Sequence, residues 1–147
     1  MSAAALHALQ SRRGHHTVRV LYHDTDKARV VHHATYFRYL EGARLELWRE
    51  HGFSYDLFEK ETGLGLPVVE THMRYHAAAR FDDLLVVTTW VGAATRASVW
   101  FHAEIRRDES LLVMAKVRLA CASFDDGQIR RVPVALLDAC LEPGYTV

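Results

Sequence analysis

The sequence predicts an α+β domain in which one long helix packs against an antiparallel sheet of about five strands. Three observations support this prediction. Residues 17–23 are β-branched and alternate as in a strand, residues 33–51 carry the spacing of an amphipathic helix, and four strand-like segments follow. The short gaps between the later segments suit hairpins, which join antiparallel strands.

The long helix is predicted from a single apolar stripe. Along residues 33–51, apolar side chains recur at the i, i+3, i+4 and i+7 positions of one buried face. The stripe consists of Tyr36, Tyr39, Leu40, Ala43 and Leu47. Gly52 is well placed to end this helix. Ser54 is expected to be the N-cap of a short second helix that reaches residue 62.

The later strands are rich in Val, Thr, Trp and Phe, which favour sheets. They are expected at residues 66–75, 84–93, 98–107 and 111–124. In the last of them a two-residue period places Val113 and Cys121 on one face, whereas Lys116 points to the other. The sequence therefore predicts a buried and an exposed face for this strand.

The bulk properties predict a single domain with no strongly charged partner. The chain has 147 residues, half of them hydrophobic, and a formal net charge of zero, which argues against nucleic acid or an integral membrane association. Residues 1–16 are expected to form a flexible tail and residues 17–147 the domain. Cys121 and Cys140 form neither a metal pair nor a disulfide framework, so a reducing, cytoplasmic location is expected.

Ionisable side chains are concentrated where the first strand gives way to the long helix. The stretch reads YHDTDKARVVHHATYFRYLEGAR and runs from Tyr22 to Arg44. A carboxylate there, Asp24 or Asp26, could activate water or attack a carbonyl. The start of a helix offers unpaired amides and favours negative charge. The junction is therefore the candidate active site.

This stretch is similar to the signature of the 4-hydroxybenzoyl-CoA thioesterase family. It looks closest to the bacterial acyl-CoA thioesterase branch associated with the Tol-Pal envelope system. The matching elements are the aromatic Tyr22, the DTD step, the VV-x-H step and the E-x-A-R end of the helix. A second match is MRYHAAARFDDLLVV, residues 73–87. The resemblance spans residues 17–133 and implies a hotdog fold, a curved sheet wrapped around one central helix, and hydrolysis of acyl-CoA without a metal or cofactor.

The resemblance also implies roles for individual residues. Asp26 corresponds to the catalytic carboxylate, either as nucleophile or as general base, and His33 corresponds to the residue whose backbone amide stabilises the oxyanion. Asp24 is expected to be a turn or capping residue. The candidate substrate-binding residues are Tyr22, Arg29, Val31, His32, Tyr36 and Arg80. The spacing of Tyr36 is equally that of a core residue.

One departure from the family pattern bears on the substrate. The turn after the second aspartate is small and contains glycine in the family, but here it ends in Arg29. Arginine adopts positive φ less readily than glycine. Either the turn has a different backbone, or the arginine has a purpose, such as favouring substrates with a distal carboxylate or contacting a CoA phosphate. A third alternative is that Arg29 is only a solvated loop residue.

The resemblance implies a homodimer, and beyond it a homotetramer, with the active site between subunits. Pairing sheet edge to sheet edge would also protect the open edges of the sheet. The acyl group could be delivered by CoA or by acyl carrier protein.

Three alternatives are open at this stage. A metal hydrolase would use the histidines and aspartates of the junction, but no metal-binding template is present, and strand-like alternation would send His32 and His33 in different directions. A non-catalytic hotdog domain could bind acyl-CoA or a protein, although Asp26 is retained. An enoyl-CoA hydratase would need a histidine where this chain has Val31.

Overall fold

The computed structural model describes residues 11–143 and has the expected order of elements. The strands are β1 (Gly14–Arg19), β2 (Leu64–Gly65), β3 (Val68–Tyr75), β4 (Leu84–Ala94), β5 (Ser98–Arg107), β6 (Ser110–Ala120) and β7 (Ala122–Ser123). The helices are α1 (Thr35–Glu50), α2 (Tyr55–Thr62) and α3 (Val134–Asp138), and a 3₁₀ turn spans Tyr22–Asp24.

Five strands form one antiparallel sheet in the order β1-β4-β5-β6-β3, and β2 pairs with β7 in a small second sheet. The predicted α+β class and strand number are confirmed. Strands β4, β5 and β6 follow one another as hairpins, which is the arrangement that their short connections favour. Strands β1 and β3 lie at the two edges of the larger sheet.

The core lies between α1 and the inner face of the sheet. The predicted stripe of α1 is confirmed, since each of its five side chains is at most 4% exposed. Trp48 extends the stripe and packs edge-on against Phe101 of β5, with 5.4 Å between ring centroids. Each large apolar side chain buried in this way contributes roughly 1.5–3 kcal/mol. The burial of α1 therefore fixes where its first turn stands relative to the sheet.

The N-cap that the sequence predicts for the second helix is observed in the structure. The Ser54 hydroxyl accepts a hydrogen bond from the Leu57 amide at 3.3 Å, as expected for an N-cap, and Gly63 ends α2 in the left-handed conformation. The buried face predicted for the last strand is also observed, with Val113 and Cys121 fully buried and Lys116 exposed.

The expected boundary of the N-terminal tail is wrong for residues 11–16. Strand β1 begins at Gly14, three residues before the predicted strand, and Ser11 is only 4% exposed. The Ser11 hydroxyl accepts a hydrogen bond from the Val91 amide at 2.7 Å and lies 3.2 Å from the Cys140 carbonyl oxygen. These contacts hold the chain against β4 before β1 begins. Residues 1–10 lie outside the described residues.

Among residues 11–143, the structure contains no helix with the length and apolar composition needed to cross a membrane.

Candidate active site

The connection from β1 to α1 folds back on itself as a tight hairpin. The His32 amide donates to the Asp24 carbonyl at 2.9 Å, Thr25 pairs with Val31, and the Asp26 amide donates to the Val30 carbonyl at 3.0 Å. Residues 26–30 therefore form the tip of this hairpin.

The connection from β3 to β4 holds the hairpin against the sheet. The Val31 amide donates to the Ala79 carbonyl at 2.8 Å, and Val20 exchanges backbone hydrogen bonds with Asp82 and Asp83. The two segments that the sequence analysis singled out, residues 22–44 and 73–87, are thus brought together by backbone hydrogen bonds.

Asp24 is a buried carboxylate with several donors. It is 2% exposed. Its carboxylate accepts hydrogen bonds from the Leu21 amide and the Tyr39 hydroxyl, both at 2.8 Å, and it pairs with the Arg38 guanidinium. The expected capping role of Asp24 is confirmed, because the Leu21 amide is the N-cap donor of the 3₁₀ turn.

Its surroundings keep Asp24 ionised. Burial alone would raise the pKa of its carboxyl, but the Leu21 amide, the Tyr39 hydroxyl and the Arg38 charge together hold that pKa below its ordinary value. The same contact acts in the opposite direction on Tyr39, where burial and the hydrogen bond to Asp24 raise the pKa of the phenol. The ionised Asp24 carboxylate, bound by Arg38 and Tyr39, therefore anchors the hairpin to α1.

Asp26, two residues further along, is in a different environment. Its side chain is exposed, and its Oδ1 accepts a hydrogen bond from the Ala28 amide at 2.8 Å. This contact is the turn that an aspartate makes with the backbone two residues ahead. The Oδ2 atom has no hydrogen-bond partner within residues 11–143. One oxygen therefore orients the carboxylate while the other faces open space.

Arg29 occupies the left-handed region, with φ of 64°. Of the alternatives for this turn, a different backbone is therefore ruled out, and the arginine accepts the conformation that glycine adopts without strain. The Arg29 amide donates to the Asp26 carbonyl at 2.9 Å, and its guanidinium makes no hydrogen bond or ion pair with another described residue. An exposed cation thus stands at the tip beside Asp26.

Helix α1 begins at Thr35 and not at His33. The reason is His32, whose Nδ1 accepts a hydrogen bond from the Ala34 amide at 3.2 Å and whose carbonyl accepts one from Thr35 at 2.9 Å. These local bonds compete with helical ones and delay the helix. His32 is therefore a turn-forming residue at the entrance to α1.

His33 precedes the N-cap and keeps its amide free. Within the described part of the chain its N–H has no hydrogen-bond acceptor, whereas its carbonyl accepts a hydrogen bond from the Tyr75 hydroxyl at 2.9 Å. The rings of His32 and His33 stack at 4.3 Å. The expected divergence of the two side chains is wrong, because these residues lie in a turn and not in an alternating strand.

The structure separates the remaining predicted substrate contacts into two groups. Tyr22 is 79% exposed and packs edge-on against Phe81, and the Arg80 guanidinium is exposed without a partner among residues 11–143. Val31 and Tyr36 are 5% and 2% exposed and belong to the core. The burial of these two side chains does not support a substrate contact for either. The Tyr36 hydroxyl accepts a hydrogen bond from the Ala79 amide beneath the hairpin.

Two further residues of the site were missed or misjudged from the sequence. Tyr75 was not singled out in the sequence analysis, although it lies in the second matching segment. The signal that could have identified it is a hydroxyl group at the end of the exposed edge strand. Arg44, the last residue of the matched stretch, is 8% exposed, and burial lowers the pKa of its guanidinium. It is a helix residue of the interior.

In residues 11–143, no three His, Cys, Asp or Glu side chains lie close enough together to hold a metal ion.

The chain is similar to known thioesterases in sequence and in fold. The model of the thioesterase superfamily matches residues 28–114, more than half of the chain. Acyl-CoA thioesterase YbgC of Haemophilus influenzae is 36% identical over 107 residues, which cover 73% of this chain and 79% of that protein. Acyl-CoA thioester hydrolase YbgC of Escherichia coli O6:H1 is 36% identical over 121 residues, covering 82% and 90% respectively.

A solved structure shows the same fold. The 4-hydroxybenzoyl-CoA thioesterase of a Pseudomonas species superposes with a TM-score of 0.81, at 22% identity, over 88% of this chain and 99% of that one. At this level of identity the likeness concerns the hotdog architecture, which the family resemblance had implied.

Replacing Asp24 with asparagine is expected to lower the free energy of unfolding by about 2 kcal/mol at neutral pH, since hydrogen bonds to a charged group contribute about 1.5–3 kcal/mol. Because the pKa of Asp24 is depressed in the folded chain, its stabilisation is present above the ordinary value of 3.8 and is lost as the pH falls below it. Urea unfolding from about pH 6 to about pH 2.5 should show the two proteins converging in acid.

The matched control is Asp125→Asn in an exposed loop, where the carboxylate makes no hydrogen bond or ion pair with another described residue. Parallel stability curves for the parent and Asp24→Asn across the acid range would show that Asp24 is not the ionised anchor.

Proposed function

The chain belongs to the thioesterase superfamily and is an acyl-CoA thioesterase, and we propose that hydrolysis depends on the carboxylate of Asp26. The observation that carries this proposal is the contrast between the two aspartates of the DTD step. The Asp24 carboxylate is buried and occupied by three donors, whereas Asp26 presents a free oxygen to solvent. Of the two, Asp26 is the one that can reach a water molecule or a thioester carbonyl.

The proposed reaction converts a thioester and water into a carboxylic acid and CoA. As a general base, Asp26 accepts a proton from water while the water oxygen attacks the carbonyl carbon. The carbon–sulfur bond then breaks, and the CoA sulfur takes up a proton. As a nucleophile, Asp26 attacks the same carbon, releases CoA and forms an anhydride that water opens. Both routes require the ionised carboxylate.

The His33 amide is the proposed donor to the oxyanion. Support comes from its free N–H and from its position just before α1, where the helix dipole favours negative charge. The hydrogen bond from Tyr75 to the His33 carbonyl restrains the orientation of the residue. A preoriented donor is more effective than a mobile one, because it needs no reorganisation as charge develops.

Asp26→Asn is expected to lower kcat by about 10²–10⁴-fold, the range attributed to general base catalysis. The fold should survive, because an asparagine oxygen can still accept the Ala28 hydrogen bond. The measurement is release of free thiol from a panel of acyl-CoA substrates, together with a circular dichroism spectrum of the variant. Asp82→Asn, an exposed aspartate outside the hairpin, is the matched control. Turnover near that of the parent protein in Asp26→Asn would exclude the mechanism.

A homodimer formed through β3 is part of the proposal. This strand is an edge of the sheet, and Val68, Val69 and Tyr75 are about half exposed, at 51%, 49% and 46%. An exposed, apolar edge strand is a template for pairing with a second strand. Tyr75 also touches His33, so the edge and the site are adjacent. Pairing of two such dimers into a tetramer remains a prediction.

The site is proposed to lie between subunits. Within one chain, the pairing of Asp24 with His32 and of Thr25 with Val31 stands between Asp26 and His33. In the proposed reaction the thioester carbonyl has to lie between these two residues, and the neighbouring edge strand of a partner would cover it.

Val69→Lys is expected to weaken the dimer and the activity together, because pairing of the edges would bring added positive charges close to each other. Sedimentation velocity measures the association, and thiol release at increasing protein concentration measures its effect on turnover. Val86→Lys is the control, since Val86 is 37% exposed on a strand whose two edges are already paired. A monomeric Val69→Lys protein with full activity would contradict the interface site.

Arg29 and Arg80 are proposed to favour an anionic group at the mouth of the site. Both guanidinium groups are exposed and without partners in the described chain, and Arg29 stands at the tip next to Asp26. The anion could be a distal carboxylate of the acyl group or a phosphate of the carrier.

Delivery by acyl carrier protein remains an alternative to CoA. A cytoplasmic location accords with two buried, unpaired cysteines.

Arg29→Ala is expected to raise KM for the preferred substrate by about tenfold, because a lost charged hydrogen bond corresponds to about 1–3 kcal/mol. Arg29→Gly should raise KM equally but increase the free energy of unfolding by up to about 1 kcal/mol, since glycine adopts positive φ without strain. Steady-state kinetics and urea unfolding separate the two effects. Unchanged KM in both variants across the panel would leave Arg29 with a loop role alone.

A further inference from the structure

The outer face of the sheet, opposite α1, carries a groove that hydrolysis does not use. Its volume is about 620 Å³, within the range of small-molecule sites. Strands β3 to β6 all contribute to its walls. Its principal side chains are His72, Trp90, Trp100, His102, Met114 and Lys116. An apolar groove with several aromatic walls is uncommon on a sheet face that is otherwise polar and charged.

The strand register places the aromatic rings side by side. Trp90 lies opposite His102, His102 opposite Lys116, and Lys116 opposite His72, so the four form one row across the sheet. The Trp90 and His102 rings are 5.9 Å apart, and His72 is 6.0 Å from Trp100 in the next row. A flat ring laid along this row would meet aromatic faces and edges from several strands.

A glycine makes room for the central imidazole. Strand β4 has a bulge between Val91 and Ala93, and a Cβ added to Gly92 would lie 2.3 Å from Nε2 of His102. Any larger residue at position 92 would push the His102 ring into the groove. Burial, helped by the Lys116 charge, lowers the pKa of His102. Both effects favour the neutral form of the imidazole at the base of the groove.

One buried donor in the groove lacks an acceptor. Trp90 is 7% exposed, and its Nε1–H has no hydrogen-bond partner within residues 11–143. A buried donor left without an acceptor costs about 1–3 kcal/mol, so such groups are rare in native structures. The guanidinium of Arg13 lies over this indole, at 4.1 Å from its centroid. The Nε1 atom itself has almost no accessible area, so a ligand in the groove would meet the Trp90 ring and not this donor.

The free charge around the groove is positive. Glu70 is already occupied, by His72 at 2.8 Å and by Arg118 at 2.9 Å. Arg74 and Lys116 line the groove and form no ion pair with a described residue. An anionic group is therefore the complement that the lining lacks.

We propose that this groove binds a small planar aromatic carboxylate, with its ring along the aromatic row and its carboxylate on Lys116. A second copy of the chain fits this face less well, because in a twofold pairing both copies present the same lining, whose unpaired charges, Arg74 and Lys116, are positive. The site is on the opposite face of the sheet from α1 and is independent of the proposed hydrolysis.

The test uses 2-naphthoate as the probe, with its neutral counterpart 2-naphthamide. Isothermal titration of the full chain should give one naphthoate per protomer and markedly weaker binding of the amide. Lys116→Gln should weaken naphthoate binding about tenfold, and Trp90→Phe, which puts a smaller ring at the end of the aromatic row, about three- to tenfold. The indole N–H resonance of Trp90 should shift as the probe is added. Thioester hydrolysis should be unchanged in both variants.

Three controls make the result decisive. Lys116→Arg should keep most of the affinity, Lys60→Gln on α2 should behave as the parent protein, and Gly92→Ala should abolish binding by displacing the His102 ring. Equal affinity in the parent, Lys116→Gln and Trp90→Phe would overturn the proposal. So would sedimentation data showing that Trp90→Phe or Lys116→Gln dissociates an oligomer, because a second copy would then occupy this face.

Discussion

The ion pair between the buried Asp24 carboxylate and the partly exposed Arg38 guanidinium, supplemented by the Tyr39 hydroxyl, is the interaction on which the candidate site depends. It joins the 3₁₀ turn after β1 to the first turns of α1, and α1 is in turn held by its apolar stripe against the sheet. A buried carboxylate is stabilising only if its oxygens are fully occupied. Here two neutral donors and one guanidinium occupy them, and the hairpin tip is fixed as a result.

In this short motif, Asp24 therefore has a structural role and Asp26 the proposed catalytic role. Asp24 is ionised because the fold surrounds it with donors, and Asp26 is available because the fold leaves one of its oxygens free. Neither property belongs to the residue type. Both arise from the way the hairpin turns back on itself, with Thr25 paired to Val31 and the side chains at positions 24 and 26 in contrasting surroundings.

Much of the fold followed from local periodicity. The stripe of α1, the N-cap Ser54 and the bounds of β5 were predictable because each reflects contacts between residues close in sequence or a simple burial alternation. The start of α1 was not, because it depends on the ring nitrogen of His32 as a hydrogen-bond acceptor. Ser11 and Tyr75 were also beyond prediction, since their partners lie far away in sequence. Spacing alone did not distinguish Asp24 from Asp26 as the candidate catalytic carboxylate. Their burial and hydrogen bonding in the structure distinguish them.

The hydrogen bond from Tyr75 to the His33 carbonyl has a thermodynamic consequence. Tyr75 belongs to the edge strand, and His33 offers the free amide, so one contact connects the surface where a second subunit is proposed to pair with the place where negative charge is proposed to develop. Linkage between two such events is reciprocal: if association orders the amide, then any ligand that engages the amide must strengthen association by the same factor. A transition-state analogue would thereby act on this protein as an assembly agent, and the concentration at which protomers pair would depend on how much substrate surrounds them.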